Sequence, residues 1–285
     1  MLSGIFPVAV FLLPAIEPPA TPDPEIVRIG IVGSLSQNTS PRLRELFAPE
    51  LNSLVKDFTG LKSVSLQGLD PFTAARQLQA GKWHLGVFEG VHFAWAQAKY
   101  PRLQPLLLAV NQEEPIQAVL AVKKGSEIKS FADLKGKDVD ILEWQLPCRL
   151  FAEKETGGRP GKYFARLFQS QDGQEALNDV LRGKVKAAIV DAATLSQFKD
   201  LYPGRYQMLT MLAHSPPFPP PVVVYYEGSL GAGMLKQFRD GMLKASQSEK
   251  GKSALATFRI LRFQAVPADF QKTLAKIAKA YPVAE

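Results

Sequence analysis

Residues 25–111 alternate strand and helix patterns until four strands have passed, and that alternation leaves few folds open. Glu25–Ser34, "EIVRIGIVGS", alternates and then runs apolar, as a buried strand does. Ser40 and Pro41 read as a helix N-cap and first helical residue. Leu43, Leu46, Phe47, Leu51, Leu54 and Val55 then recur at helical spacing up to Gly60. "KSVSLQ" is a second strand. Asp70-Pro71 opens a helix with Phe72, Ala75 and Leu78 on one face and a stop at Gly81. Lys82–Trp95, "KWHLGVFEGVHFAW", begins as strand and ends as helix, and "PLLLAVN" is a fourth strand. The order βαβαβαβ predicts a mostly parallel sheet with helices on both faces.

After that the pattern changes. Ile116–Ile128 reads as a strand and a turn. "SFADLKGKDVDIL" reads as a short helix, a turn at Gly136 and a strand. "QEALNDVLRGKVKAAIVDAATLSQF" gives a helix, a turn at Gly183, a strand and another helix, and "YQMLTML" a further strand. Ser215–Pro221, "SPPFPPP", cannot pair inside a sheet and reads as a rigid connector. "VVVYY" returns as a strand, and two or three helices finish the chain, one marked by Leu235, Phe238, Met242 and Leu243. The expectation is an α/β chain of two lobes with a mixed sheet in each. Residues 26–113 plus 218–285 form one lobe and 114–217 the other, with crossings near 111–118 and 213–222. Two crossings leave a cleft fed by strand ends and helix N-termini.

Ile5–Ile16, "IFPVAVFLLPAI", is an apolar run of signal-peptide length, too short to span a bilayer comfortably. "EPPATPDPE" follows as a Pro-rich spacer, so residues 1–25 are expected to be a signal and spacer rather than fold. Met1–Gly4 lacks the usual Lys or Arg, which a misplaced start codon would explain. Removing residues 1–20 deletes only Glu17 and takes the charge from +7 to +8. The basic residues are scattered, with no stripe interleaved with aromatics, so no nucleic-acid partner is expected. Cys148 is the one cysteine, which excludes an intrachain disulfide. "GKS" at 251–253 lacks the upstream glycine of a phosphate loop, and three scattered histidines with one cysteine give no zinc spacing. No metal and no cofactor are expected.

Four stretches carry a resemblance: "RIGIVGSLSQ", "AARQLQAGKWHLGVFEG", "KSFADLKGKDVDIL" and "VLRGKVKAAIVDAATL". With them the chain resembles the solute-binding proteins of phosphonate/phosphite ABC transporters, within the type II periplasmic binding fold. The resemblance spans most of residues 26–225. It implies an exported, periplasmic protein that closes its lobes on a small molecule and is read by an ABC permease or a membrane sensor. A monomer is expected. The family holds an oxyanion with helix N-termini and hydroxyls.

At the contact positions this sequence departs from that pattern. Phe88 stands where the family typically has tyrosine, and Glu89 would repel a phosphonate. "EWQLPCRL", Glu143–Leu150, replaces a turn of Ser-Thr-Ser type and carries no hydroxyl. A histidine expected before the 174–182 helix is replaced near Asp172, whereas Asp191 keeps the acidic position that often faces a ligand amine. The candidate ligand-binding set is Ser34, Ser36, Gln37, Phe88, Glu89, His92, Gln145, Cys148, Arg149, Asp172 and Asp191. Glu89, Asp172 and Asp191 suit an amine-bearing solute, whereas Arg149 could pair with a carboxylate or phosphate. Binding without turnover is expected, so no residue is assigned as catalytic. Two alternatives stand beside it. One is an enzyme on the same fold, using Cys148 or the cleft acids with His92 as base. The other is a degenerate scaffold acting as a sensor or interaction protein.

Overall fold

A computed structural model describes residues 23–32, 41–67, 70–111 and 115–283, with side chains from residue 48 in the second stretch. The first sheet is built from β1 (Val27–Ile31), β2 (Ser63–Gln67), β3 (Leu85–Phe88), β4 (Leu103–Asn111), β10 (Val222–Tyr226) and β11 (Ile260–Gln264). Its spatial order is β11-β4-β10-β3-β1-β2. The second uses β5 (Ala118–Lys123), β6 (Asp138–Ile141), β7 (Arg166–Phe168), β8 (Ala187–Asp191) and β9 (Leu209–His214), in the order β7-β6-β8-β5-β9.

Both sheets are mixed. β1 pairs in parallel with β2 and β3, as the alternating pattern predicts. The mostly parallel expectation fails at β10, which runs antiparallel between β3 and β4 and keeps them apart. Its continuous apolar run is consistent with that central place, since Val222, Val223 and Val224 are all buried. In the second sheet β6 pairs in parallel with β7 and β8, and β5 is antiparallel to β8 and β9.

The long helices are α1 (Pro41–Thr59), α2 (Pro71–Gln79), α3 (Gly90–Lys99), α4 (Leu146–Glu155), α5 (Gly173–Arg182), α6 (Ala192–Leu201), α7 (Ala232–Lys244), α8 (Glu249–Thr257) and α9 (Phe270–Ala280). Local chemistry sets their ends. Asp70 accepts from the N–H groups of Phe72 and Thr73 at the start of α2. Gly183 takes the left-handed conformation, φ 78°, that closes α5.

The chain passes between the sheets after β4 and again after β9, and hydrogen bonds hold the two passages together. Phe218 N–H donates to Ile116 O at 2.8 Å, and Ala118 N–H donates to Ser215 Oγ at 3.0 Å. Gln117 Nε2 donates to Ser215 O at 2.7 Å. Prolines 216, 217, 219, 220 and 221 offer no N–H, so Phe218 is the residue between Ser215 and Val222 that can form such a bridge.

Polar anchoring inside the second sheet is local. Asp140 on β6 is 1% exposed and accepts from Ser170 N–H at 3.0 Å and Ser170 Oγ–H at 2.6 Å. Asp140→Ala strands both donors and should cost about 2 kcal/mol in urea denaturation. Asp138→Ala, which removes the solvent-facing pair with Arg166, should cost much less. Equal costs for the two would contradict the anchoring role.

Candidate functional site

Two walls face each other at strand ends. On the first, β3 ends at the fully buried Phe88, and Glu89 turns the chain at φ −60°, ψ 144° into α3. Gly90 is the first helical residue because nothing larger fits: a Cβ there would lie 2.5 Å from both Pro219 Cβ and Pro219 O. One turn on, His92 Nδ1 sits 3.1 Å from Glu89 Oε2, with only 8% and 15% of the two side chains exposed. Burial, and then the Arg149 charge, lower the His92 pKa to about 4 against the opposing effect of Asp70. The imidazole also packs against Trp95, with ring centroids 5.4 Å apart.

The second wall is a row of helix starts. Gln145 precedes α4, Asp172 caps α5 by accepting Gln174 N–H at 2.9 Å, and Asp191 caps α6 by accepting Thr194 N–H at 2.6 Å. A Cβ on Gly173 would approach Thr194 and Leu142 within 2.4 and 2.9 Å, so the α5 start is pressed against the start of α6 and the end of β6. Asp191 is 9% exposed, and its pKa is raised by burial against the opposing effects of Thr194 and Arg259.

α4 decides what this wall can hold. Leu146 is its first residue and Pro147 its second, so one of the usual unpaired N–H donors is missing. Gln145 makes no side-chain cap bond. Leu146 and Leu150 are 2% and 5% exposed, and both belong to the same buried cluster as Phe88, Val91, Phe218 and Tyr281. Cys148, Phe151 and Ala152, on the other side of α4, belong to the core of the second sheet. Beside Arg149 and Glu153, a cavity of about 20 Å³ has room for a water but not for a solute.

The structure therefore brings Phe88, Glu89 and His92 together on one wall, while Arg149 on the other pairs with Glu153 at 3.9 Å and its charge is felt at His92. Asp172 is exposed at the rim, with a carboxylate oxygen engaged in capping. Cys148 lies in the second core, fully buried, and burial and the nearby Asp191 charge raise its thiol pKa well above the ordinary value. A thiol so placed is not a thiolate nucleophile and does not reach the seam. Ser34, Ser36 and Gln37 lie outside the described residues. Sequence reasoning missed Leu146, Pro147, Leu150 and the Gly90–Pro219 contact. The signal for the leucines was available: α4 carries apolar residues on two opposite faces, as a helix buried on both sides does.

The family model described as "ABC transporter, phosphonate, periplasmic substrate-binding protein" matches residues 32–270. No curated protein matches the chain. Among solved structures, XAC2383 from Xanthomonas citri bound to ATP is 13% identical with a TM-score of 0.66, over 90% of this chain and 97% of that one. PhnD1 from Prochlorococcus marinus in complex with methylphosphonate is 16% identical with a TM-score of 0.61, over 90% and 98%. A binding-protein component of an ABC phosphonate transporter from Pseudomonas aeruginosa is 17% identical with a TM-score of 0.62, over 90% and 86%. At these identities the structural likeness establishes the two-lobed fold, and the family match carries the rest.

Proposed function

The chain belongs to the family of periplasmic substrate-binding proteins of phosphonate ABC transporters, and from that premise we propose a receptor whose anion seat has been rebuilt for an amine-bearing solute. It is an exported transport component of the periplasm. The two lobes are residues 26–113 with 218–285, and 114–217. The strands of the first sheet fall within the former ranges and those of the second within the latter. It works as a monomer, and its closed form is read by an ABC permease or a membrane sensor.

One observation carries the solute reading: the start of α4. By resemblance this helix end would wrap an oxyanion, but Pro147 removes a donor, no side-chain hydroxyl is present and Leu146 is packed away from solvent. The neighbouring acids Glu89 and Asp191 complement a cation. The solute site comprises Phe88, Glu89, His92, Gln145, Arg149 and Asp191, with Asp172 at the rim; Ser34, Ser36 and Gln37 are assigned to it from the resemblance alone. The role is binding without turnover: the family is one of transport components, and the candidate nucleophile Cys148 is buried in the core of the second sheet.

A thermal-shift panel tests this. Amines and amino acids should raise the melting temperature by several degrees, since a ligand at a hundred times its Kd adds about 2.7 kcal/mol. Methylphosphonate, phosphite and alkyl sulfonates should leave it unchanged. A shift with methylphosphonate and none with amines would overturn the reading.

A further inference from the structure

We propose that Leu146 and Leu150 are closure residues: an apolar latch that holds the two lobes shut in the absence of any solute. One face of α4 seats the helix in the core of the second sheet, through Cys148, Phe151 and Ala152. The other face sends Leu146 and Leu150 into the cluster that contains Phe88, Val91 and Tyr281 on the side of the first sheet and Phe218 of the second crossing. The receiving surface is itself fixed. Phe218 stacks on Tyr281 with centroids 4.9 Å apart, and Trp95 Nε1 donates to Tyr281 O at 2.8 Å. Lys154, two turns after Leu146 on the same helix, places its ammonium 5.0 Å from the Tyr281 ring centroid.

Opening the lobes would pull both leucines from this cluster into water, so the open state carries a hydrophobic penalty set by the chain alone. A solute shifts a two-state equilibrium only by its differential affinity for the two states. Where the protein's own side chains already favour closure, solute adds little to it. The membrane partner then meets the closed form whether or not the cleft is occupied. This inference does not depend on the amine reading: a null result in the solute panel leaves it intact, and the measurement below uses no solute.

Fluorophores or spin labels at Lys62→Cys and Lys129→Cys, both exposed and on opposite lobes, would report lobe separation, while the buried Cys148 escapes labelling. The solute-free protein should show one short separation. Leu150→Asp should raise the open-to-closed ratio by roughly a hundredfold and shift the distribution to longer separations. Two results overturn the latch: a solute-free protein that is already mostly at long separation, or a folded Leu150→Asp protein that stays short. Circular dichroism establishes whether that variant folds. If it does not, Leu150→Ala is read by the same two criteria, with a smaller shift expected.

Discussion

Gly90→Ala will destabilise the protein by about 3 kcal/mol and lower its melting temperature by roughly 5–10 °C. The reason is space rather than backbone conformation. The new Cβ would sit 2.5 Å from Pro219 Cβ and 2.5 Å from Pro219 O, and the latter is backbone that no rotamer change can move. Pro219 cannot yield easily either. Its ring fixes φ, Pro220 and Pro221 follow, and Phe218 is bonded to Ile116 across the waist. The strain therefore falls on the second crossing or on the start of α3, where Glu89 and His92 face each other. Gly161→Ala is the control: its Cβ would meet nothing within 4 Å, so the change should be neutral or slightly stabilising. Scanning calorimetry on the two variants decides the matter, and matching melting temperatures would contradict the close approach.

That contact shows where the sequence stopped being readable. Strand and helix periodicity located β1 to β4 and the connector at Ser215–Pro221, because each rests on local pattern. Whether Gly90 meets Pro219 depends on residues 129 positions apart, which no local pattern encodes. β10 was legible as a strand, but its place between β3 and β4 was not, since strand order is a property of the assembled sheet. β11 went unread for a different reason. Leu261 and Arg262 are exposed, so it lacks alternation, and its lead-in turn uses Arg259 at φ 56° rather than a glycine. At the site, the Phe88–His92 join was recognisable as strand end and helix start. The apolar character of the opposite wall was not read, because within Glu143–Leu150 only Gln145, Cys148 and Arg149 were weighed as ligand contacts. The spacing of Leu146 and Leu150 against Cys148, Phe151 and Ala152 shows two apolar faces, but only the fold shows which core each face joins.

Acidification should destabilise the protein through His92, by up to about 3 kcal/mol between pH 7 and pH 4. The sign follows from the direction of the shift. Burial first, then the Arg149 charge, hold the folded-state pKa at about 4, below the ordinary 6.5. Between those values the unfolded chain binds more protons at this residue than the folded one does, so stability rises with pH across the window. The contribution is complete above pH 6.5 and fades as pH falls toward 4. Asp70 is among the causes and works in the opposite direction. So does the Glu89 carboxylate at 3.1 Å, which favours the imidazolium. These acids limit the shift, but the side chain is only 8% exposed and desolvation dominates. Two measurements check it. The His92 ring protons should titrate far below pH 6.5 in NMR spectra of the folded protein. The difference in urea-denaturation stability between wild type and His92→Gln should shrink by about 3 kcal/mol from pH 7 to pH 4. An imidazole titrating well above 7 would mean that Glu89, not burial, sets its charge, and would make His92 a cation in the wall proposed to hold a cationic solute.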